Sequence, residues 1–322
     1  MADLSTLSKK GHVEVGHKRQ STPIKIYYEL HGNGPERVLL VMGLSSSCSA
    51  WDLQFIDKRC RQNILQKLEN TLCSYSTIEE WDSQMHHLVY IRKLTSQMAA
   101  DTLDLLDHFG WNDKVHLVGI SMGGMISLEL IYAEPTRFQS VALTSTTSKR
   151  NVPTWMAVST LSKIILIYRD PKDQLNAAID LLYPVEWLTQ KPLSATSPHA
   201  TNRELAISGF INHTSRSRRQ TPQGNIGQLL ACLTHYVSDA RLLKIKESGI
   251  PILIVTGTFD HLVRSEYSYH MKKVLGDGAR FELFAGSGHA IPEEQPDRYN
   301  SLLIDHFTAS TSNNEASAFS KL

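Results

Sequence analysis

Short apolar segments with the length of β-strands alternate along this chain with longer segments whose apolar residues recur every three or four positions. The short segments predict strands and the longer ones predict amphipathic helices. Such alternation predicts a mostly parallel sheet with helices on both faces, because parallel neighbours need a crossover connection. The predicted strands lie at 12–15, 24–30, 38–42, 115–119, 141–143, 251–255 and 280–284, and the predicted helices at 96–110, 122–132 and 297–307.

The alternation stops between Pro153 and about Cys232, where helix-like segments are separated by prolines. Proline interrupts a helix, so this block reads as several short helices. We interpret it as a helical cap inserted into an α/β core. The predicted division is 1–152 for the first part of the core, 153–235 for the cap, 236–308 for the second part of the core, and 309–322 for a flexible tail of small polar residues.

One pentapeptide, Gly119-Ile120-Ser121-Met122-Gly123, has the pattern G-x-S-x-G and lies between a predicted strand and a predicted helix. In that context the serine occupies a sharp turn, and the glycines avoid crowding that a Cβ would create. The turn raises the Ser121 hydroxyl above the sheet, where the N-terminus of the next helix favours developing negative charge. A serine needs a base to act as a nucleophile at neutral pH, so a catalytic Ser121 requires a histidine and a carboxylate farther along the chain.

Two later residues meet that requirement. Asp260 follows the predicted strand 251–255, and His289 follows the predicted strand 280–284. The order serine, acid, histidine, each after a strand, is the one that a G-x-S-x-G turn of this kind uses. The loop after 141–143 is another position for the acid, but it contains only threonine and serine. The predicted catalytic residues are therefore Ser121, Asp260 and His289.

These motifs resemble those of the α/β-hydrolase fold family, in its form with a helical cap. The resemblance implies that the backbone N–H groups of Leu44 and Met122 form an oxyanion hole. Many relatives have His-Gly where this chain has Met42-Gly43, a change that leaves the backbone donor in place. The stretches that carry the resemblance are Val41–Leu44, Met98–Thr102, Val118–Gly124, Thr256–Val263 and Gly286–Pro292.

The resemblance also implies an activity without a cofactor: a serine hydrolase that cleaves an ester, thioester or similar acyl bond of a small apolar, fatty-acyl or polyketide-like molecule. Two alternatives stay open, a C–C bond hydrolase with the same three residues and a catalytically silent ligand-binding relative. Serine at position 121 argues against epoxide hydrolase and dehalogenase chemistry, because the family members with those activities use an aspartate at this position. Capped fungal relatives with a similar Ser96–Asp101 segment include hydrolases of secondary-metabolite and toxin pathways.

Residues 55–94 depart from the family pattern. Relatives carry a strand that ends in an Asp-x-Arg-Gly-x-Gly-x-Ser turn, and no such turn occurs here. A strand could form from residues 87–91. Our hypothesis is that this stretch is either an unusual replacement or a faulty gene model, such as a mis-spliced segment.

The charge balance of 33 Lys and Arg against 32 Asp and Glu gives a formal charge of +1. Without a strongly basic field, nucleic-acid binding is not expected. The longest aliphatic run, Ile164–Ile167, is too short to span a membrane. The four cysteines lack C-x-x-C spacing, so we expect thiols and no metal site.

A basic cluster at Arg216–Arg219 could steer an anionic substrate or could be a solvated face. The apolar cap residues could line an acyl pocket or pack the cap onto the core; they are Trp155, Met156, Ile164, Ile165, Leu181 and Leu182.

The chain ends in Ser320-Lys321-Leu322. A terminal S-K-L is the address that the peroxisomal import receptor reads on an accessible tail. We therefore expect a peroxisomal protein, with that receptor and a small acyl substrate as its partners.

Overall fold

The computed structural model describes residues 6–17, 23–32, 36–56, 70–75, 94–194, 197–216 and 221–319. Eight strands lie within these residues: β1 Leu7–Val15, β2 Ile24–His31, β3 Arg37–Val41, β4 Asn70–Tyr75, β5 Val115–Ile120, β6 Phe138–Thr144, β7 Ile252–Gly257 and β8 Ala279–Phe284. They form one sheet in the order β1-β2-β4-β3-β5-β6-β7-β8. β2 pairs antiparallel with β1 and β4, and the other neighbours are parallel. The predicted mostly parallel sheet is confirmed.

Helices cover both faces of this sheet, as the strand sequences require. In β3, Leu39 and Val41 join one apolar cluster while Val38 and Leu40 join another, because alternate side chains of a strand point to opposite faces. The first cluster is completed by the helices α2 Thr95–His108, α3 Met122–Ala133, α9 Asp239–Glu247 and α10 Ser265–Leu275. The second is completed by α1 Asp52–Ile56, α11 Ile291–Glu294 and α12 Pro296–Phe319.

The middle strands β5, β6 and β7 are buried along their whole length. Strands covered on both faces tend to have nearly continuous apolar sequences, which is why the sequence predicts β5 and β7 almost in full. β6 contains Gln139 and Ser140, and the sequence predicts only its residues 141–143. Their carboxyl ends lie at one edge of the sheet, since the three strands are parallel. That edge receives the loops that carry the predicted site residues.

In its described residues, the block expected to form a cap contains five helices between β6 and α9: α4 Trp155–Leu166, α5 Pro171–Leu182, α6 Val185–Leu188, α7 Asn202–Arg216 and α8 Pro222–Thr234. Side chains cap three of them, since Thr154, Asp170 and Thr221 each accept a hydrogen bond from an N–H of the first turn. Ile179, Tyr183, Leu188 and Ala206 form a small apolar cluster within the block. The division of the chain into core and cap stays a prediction, and "the cap" is used below only as a name for helices α4–α8 and the segments between them.

One strand of the sheet lies where the sequence has no clear strand pattern. β4, at Asn70–Tyr75, pairs antiparallel with β2 and parallel with β3, and it falls within the atypical stretch 55–94. The suggested strand at 87–91 lies outside the described residues. Whether 55–94 is a replacement or a gene-model error stays a hypothesis.

The last helix is longer than expected. Instead of giving way to a flexible tail at residue 309, α12 continues to Phe319. Part of the reason is that hydroxyls of Ser310 and Thr311 bond back to the carbonyls of His306 and Phe307, which satisfies them within the helix. Gln139 of β6 also donates to Thr311 Oγ1 at 2.7 Å, which fastens this turn to the core. None of the helices in the described part of the chain has the length and apolar character needed to cross a membrane.

Candidate active site

Ser121 lies at the turn from β5 into α3, with φ 56° and ψ −120°. This backbone conformation is rare for a residue with a Cβ. The turn is possible because its glycine neighbours leave room: a Cβ on Gly123 would lie 2.0 Å from Val41 O, and one on Gly119 would lie 2.3 Å from Ser127 Oγ. The structure therefore gives the G-x-S-x-G segment the sharp strand-to-helix turn that its sequence predicts.

The loop after β6 holds this turn in place. Ser121 N donates to Thr144 O at 2.9 Å, and Thr146 Oγ1 donates to Ser121 O at 2.7 Å. Thr146 is fully buried, although it is polar and follows a strand. The sequence shows this threonine and serine run only as a loop without a carboxylate. The hydroxyl of Thr146 has a structural part in the site that the residue pattern does not reveal.

Asp260 and His289 meet directly at the ends of β7 and β8. His289 Nδ1 donates to Asp260 Oδ2 at 2.8 Å, and Asp260 Oδ1 accepts N–H bonds from Leu262 and Val263 at 2.9 Å each. Because Nδ1 carries the proton in this bond, Nε2 of a neutral His289 is the nitrogen left to accept one. The two loops are also joined through backbone, since Phe259 N donates to Ser287 O at 2.9 Å.

Burial and charge act in opposite directions on His289. Burial disfavours the imidazolium, but the negative charge of Asp260 and the hydrogen bond to it outweigh burial and raise the pKa of His289. The ordinary value is 6.5, so the ring holds a proton to a higher pH than an exposed histidine does. A base of this kind takes up a proton readily during a reaction near neutral pH.

Glu294 is a site residue that the sequence analysis missed. Both of its carboxylate oxygens accept the N–H of Gly288 at 3.0 Å, directly before His289, and the residue is 2 % exposed. Burial raises the pKa of Glu294 to about 7; the Gly288 bond opposes this rise, and the charge of Asp260 adds to it. A glutamate five positions after the histidine could have been noted, but only the structure shows that it turns back onto the His289 loop.

The loop that follows β3, residues 42–47, lies against the turn at Ser121. We call it the β3 loop. A Cβ on Gly43 would lie 3.0 Å from Ser121 Cβ and 3.5 Å from Ser121 Oγ, so this loop passes close to the hydroxyl. Leu44, one of the two predicted oxyanion donors, follows Gly43 in the loop. Met122, the other, is the first residue of α3, where helix N–H groups lack partners within the helix.

The cap also contacts the segment that contains His289 and Glu293. His289 N donates to Leu182 O at 2.9 Å, and Tyr183 Oη donates to Glu293 Oε2 at 2.5 Å. Arg216 forms an ion pair with Asp52 of the core, so its charge is balanced there; the rest of the basic cluster lies outside the described residues.

The apolar cap residues differ widely in exposure. Trp155 is 83 % exposed and Ile165 is 62 % exposed, whereas Leu181 is buried. Packing of the cap onto the core therefore does not explain why positions 155 and 165 carry the apolar side chains of Trp155 and Ile165. Within the described part of the chain, there is no group of three or more His, Cys, Asp and Glu residues that could hold a metal ion.

Comparison with known proteins agrees with this fold. Residues 74–296 match the sequence model of the alpha/beta hydrolase fold family. The structure also superposes on a thermophilic esterase from Thermogutta terrifontis with a TM-score of 0.67, at 19 % identity over 93 % of this chain and 99 % of that one.

Two relatives illustrate the range of named activities. A protein from Pseudomonas savastanoi pv. phaseolicola assigned as the carbamate hydrolase RutD is 26 % identical over 66 % of this chain and 75 % of its own length. The 2-hydroxy-6-oxononadienedioate/2-hydroxy-6-oxononatrienedioate hydrolase 2 of Pseudomonas putida is 22 % identical over 88 % of this chain and 91 % of its own length.

Proposed function

The chain belongs to the alpha/beta hydrolase fold family, and we propose that it is a serine hydrolase in which Ser121, Asp260 and His289 form the catalytic triad. The observation that carries this proposal is the buried hydrogen bond of 2.8 Å between His289 and Asp260, at the same edge of the sheet as the strained turn that bears Ser121. A neutral histidine oriented by a carboxylate is the arrangement that activates a serine.

The proposed reaction cleaves an acyl bond in two stages. Ser121 Oγ attacks the carbonyl carbon while His289 Nε2 takes the hydroxyl proton, and the N–H groups of Leu44 and Met122 stabilise the oxyanion. The bond to the leaving group then breaks, and His289 gives it the proton. Water attacks the acyl-serine with His289 again as the base, which releases a carboxylic acid and restores Ser121.

Esters and thioesters of small apolar acyl groups are the substrates we propose. Two observations support this class: the similarity in fold to a structure described as an esterase, and the exposed apolar side chains of cap helix α4. The comparison with carbamate hydrolases adds carbamates to the bonds to be tested, since the same nucleophilic attack on a carbonyl carbon cleaves them.

A C–C bond hydrolase is the second candidate. It is favoured by the similarity to the Pseudomonas putida hydrolase, which extends over 88 % of this chain. The same serine, acid and histidine would serve that reaction, so the triad does not distinguish the two candidates. The substrate does.

A panel of substrates tests both candidates. Purified protein is assayed against p-nitrophenyl esters of two to sixteen carbons, an acyl-coenzyme A series, an aryl carbamate and a 2-hydroxy-6-oxo dienoate. We expect turnover of an ester or thioester, and a loss of about 10³-fold or more in Ser121→Ala. Ser140→Ala is the matched control, because Ser140 Oγ lies 2.6 Å from His116 Nδ1 in a buried pair away from the site. Cleavage of the dienoate alone would favour the second candidate, and no Ser121-dependent turnover would refute both.

We also propose that the protein acts in the peroxisome, where fatty-acyl or secondary-metabolite intermediates would supply its substrate. The tripeptide Ser320-Lys321-Leu322 supports the location, and it lies outside the described residues. The proposed pathway rests on the resemblance to capped fungal hydrolases of toxin biosynthesis.

A further inference from the structure

A helix of the cap bonds to the β3 loop, which passes beside Ser121. Ser45 N donates to Gln228 Oε1 at 3.0 Å, and Ser45 Oγ donates to Asn225 Oδ1 at 3.1 Å. Both acceptors belong to α8, about 180 positions later in the chain. Gln228 is 2 % exposed, so its amide is held inside the protein beside the loop.

The β3 loop needs such support because of its backbone conformation. Ser45 has φ 57°, a left-handed conformation that costs free energy for a residue with a Cβ. A third bond, from Ser46 N to Gly43 O at 3.4 Å, closes the loop into a tight turn. With its N–H and hydroxyl both bonded to α8, Ser45 is kept in a conformation that it would otherwise leave.

The same bonds determine where the N–H of Leu44 points. The carbonyl of Gly43 and the N–H of Leu44 belong to one planar trans peptide, so fixing the first fixes the second in the opposite direction. The next peptide is fixed in turn, because its N–H is the one that Gln228 accepts. Rotation of the Leu44 N–H would turn the Gly43 carbonyl away from Ser46 N and break that bond, and the position of Ser46 N depends on the Ser45 conformation that Gln228 holds.

We propose that Gln228 is a positioning residue for the oxyanion hole, through which cap helix α8 sets the direction of the Leu44 N–H. This inference rests on the proposed function, since it assumes that the Leu44 N–H stabilises an oxyanion. The cap then takes part in transition-state stabilisation as well as contacting the core. A donor that is aimed at the oxyanion contributes more in the transition state than in the bound substrate.

The test compares two chemically identical substitutions. Gln228→Met keeps the length of the side chain and removes the amide, and Gln139→Met makes the same change at a buried glutamine that bonds Thr311 in α12. We expect kcat of Gln228→Met to fall about tenfold with KM within about twofold, because the lost interaction is specific to the transition state. The inhibition constant of a boronic acid, whose serine adduct imitates the tetrahedral intermediate, should rise about tenfold. Gln139→Met should change neither quantity.

A second variant keeps the test decisive if Gln228→Met folds poorly. Asn225 is exposed, so Asn225→Ala should fold normally, and its loss of the Ser45 hydroxyl partner should lower kcat about threefold and weaken the boronic acid in parallel. A raised KM with unchanged kcat in Gln228→Met would make Gln228 a substrate contact and overturn the proposal, as would an equal loss in Gln139→Met. Where Gln228→Met does not fold, unchanged kinetics in Asn225→Ala would overturn it. A wild-type protein without turnover would refute the proposed function itself, whereas an active wild type with unaffected variants would refute this inference alone.

Discussion

At the scale of single residues, the site depends on positions where no larger side chain fits. Ser121 occupies a conformation that costs of the order of 1–3 kcal/mol, which the surrounding hydrogen bonds must offset. Gly123 is the tightest of its neighbours, because a Cβ there would overlap the backbone oxygen of Val41. The strained serine and its glycines are therefore one unit.

Gly123→Ala tests this unit. We expect a loss of about 3 kcal/mol or more in the free energy of unfolding, since the backbone of β3 must move to admit the methyl group. Gly209→Ala is the matched control, because a Cβ on this residue of α7 would meet nothing within 4 Å. Alanine there should stabilise the protein by about 0.5–1 kcal/mol through helix propensity. Urea unfolding measures both, and equal changes in the two variants would contradict the account.

The hydrogen bond between Asp260 and His289 leads to a prediction about the pH dependence of kcat/KM. In the proposed reaction His289 must be neutral, and its raised pKa places the acid limb of kcat/KM above pH 6.5. Asp260→Asn removes the charge that raises this pKa and leaves burial, so the limb should move to lower pH while kcat falls by about 10³- to 10⁴-fold. A profile with an unmoved limb would contradict this assignment.

Another pair of aspartate and histidine provides the control for Asp260→Asn. His270 Nε2 lies 2.8 Å from Asp239 Oδ1, away from the strand ends that carry the site. Asp239→Asn should leave both kcat and the pH profile unchanged. A similar loss in that variant would show that the effect of Asp260→Asn is not specific to the site.

At the scale of elements, the short helix α11 supports the loop after β8 through Glu294. The pKa of Glu294 is raised from 4.5 to about 7 by burial, so the folded state favours the protonated form. This contribution to stability is present below pH 4.5 and is lost as the pH rises through about 7. The loop that holds His289 should therefore be less stable in alkaline solution.

Glu294→Gln removes this titration and keeps an oxygen to accept the Gly288 N–H. The Tm of the variant minus that of the wild type should become more positive from pH 5 to pH 8, because only the wild type must bury a carboxylate. His289 titrates in both proteins, so most of its own effect cancels in the difference. A difference that stays constant over this range would contradict the role assigned to burial.

How far each element could be predicted depends on whether local sequence or distant pairing determines it. β5 and β7 are mostly apolar runs that the sequence predicts, as it predicts the turn at Ser121. β4 has no such run: Asn70–Tyr75 becomes a strand through pairing with β2 and β3. The serine- and threonine-rich end of α12 gains helical structure from hydroxyl bonds and from Gln139, 172 positions earlier. Glu294 and Gln228 act through contacts that local pattern cannot show.

At the scale of the whole molecule, cap and core are joined at several points around the site. Leu182 and Tyr183 bond to the region of His289, Gln228 bonds to the β3 loop, and Arg216 pairs with Asp52. The sheet determines where the loops begin, and the cap restrains two of them, the β3 loop and the loop that holds His289. This arrangement explains why the meeting of Asp260 and His289 could be expected from the strand ends, whereas the contacts of the cap could not.

The proposed peroxisomal address also belongs to this scale, and a reporter tests it. A fluorescent protein that carries the last twelve residues of this chain should colocalise with a peroxisomal marker. Removal of Leu322 alone should leave it diffuse, because the receptor reads the complete terminal tripeptide. Equal localisation of the two reporters would contradict the proposal.

The central claim is that Ser121 is a nucleophile activated by His289. Labelling of the native protein with a fluorophosphonate, followed by peptide mass mapping, measures this most directly. We predict one adduct, on Ser121, which is lost in Ser121→Ala, strongly slowed in His289→Ala and retained in Ser140→Ala. A folded protein that is not labelled at Ser121, or is labelled equally fast without His289, would contradict the account.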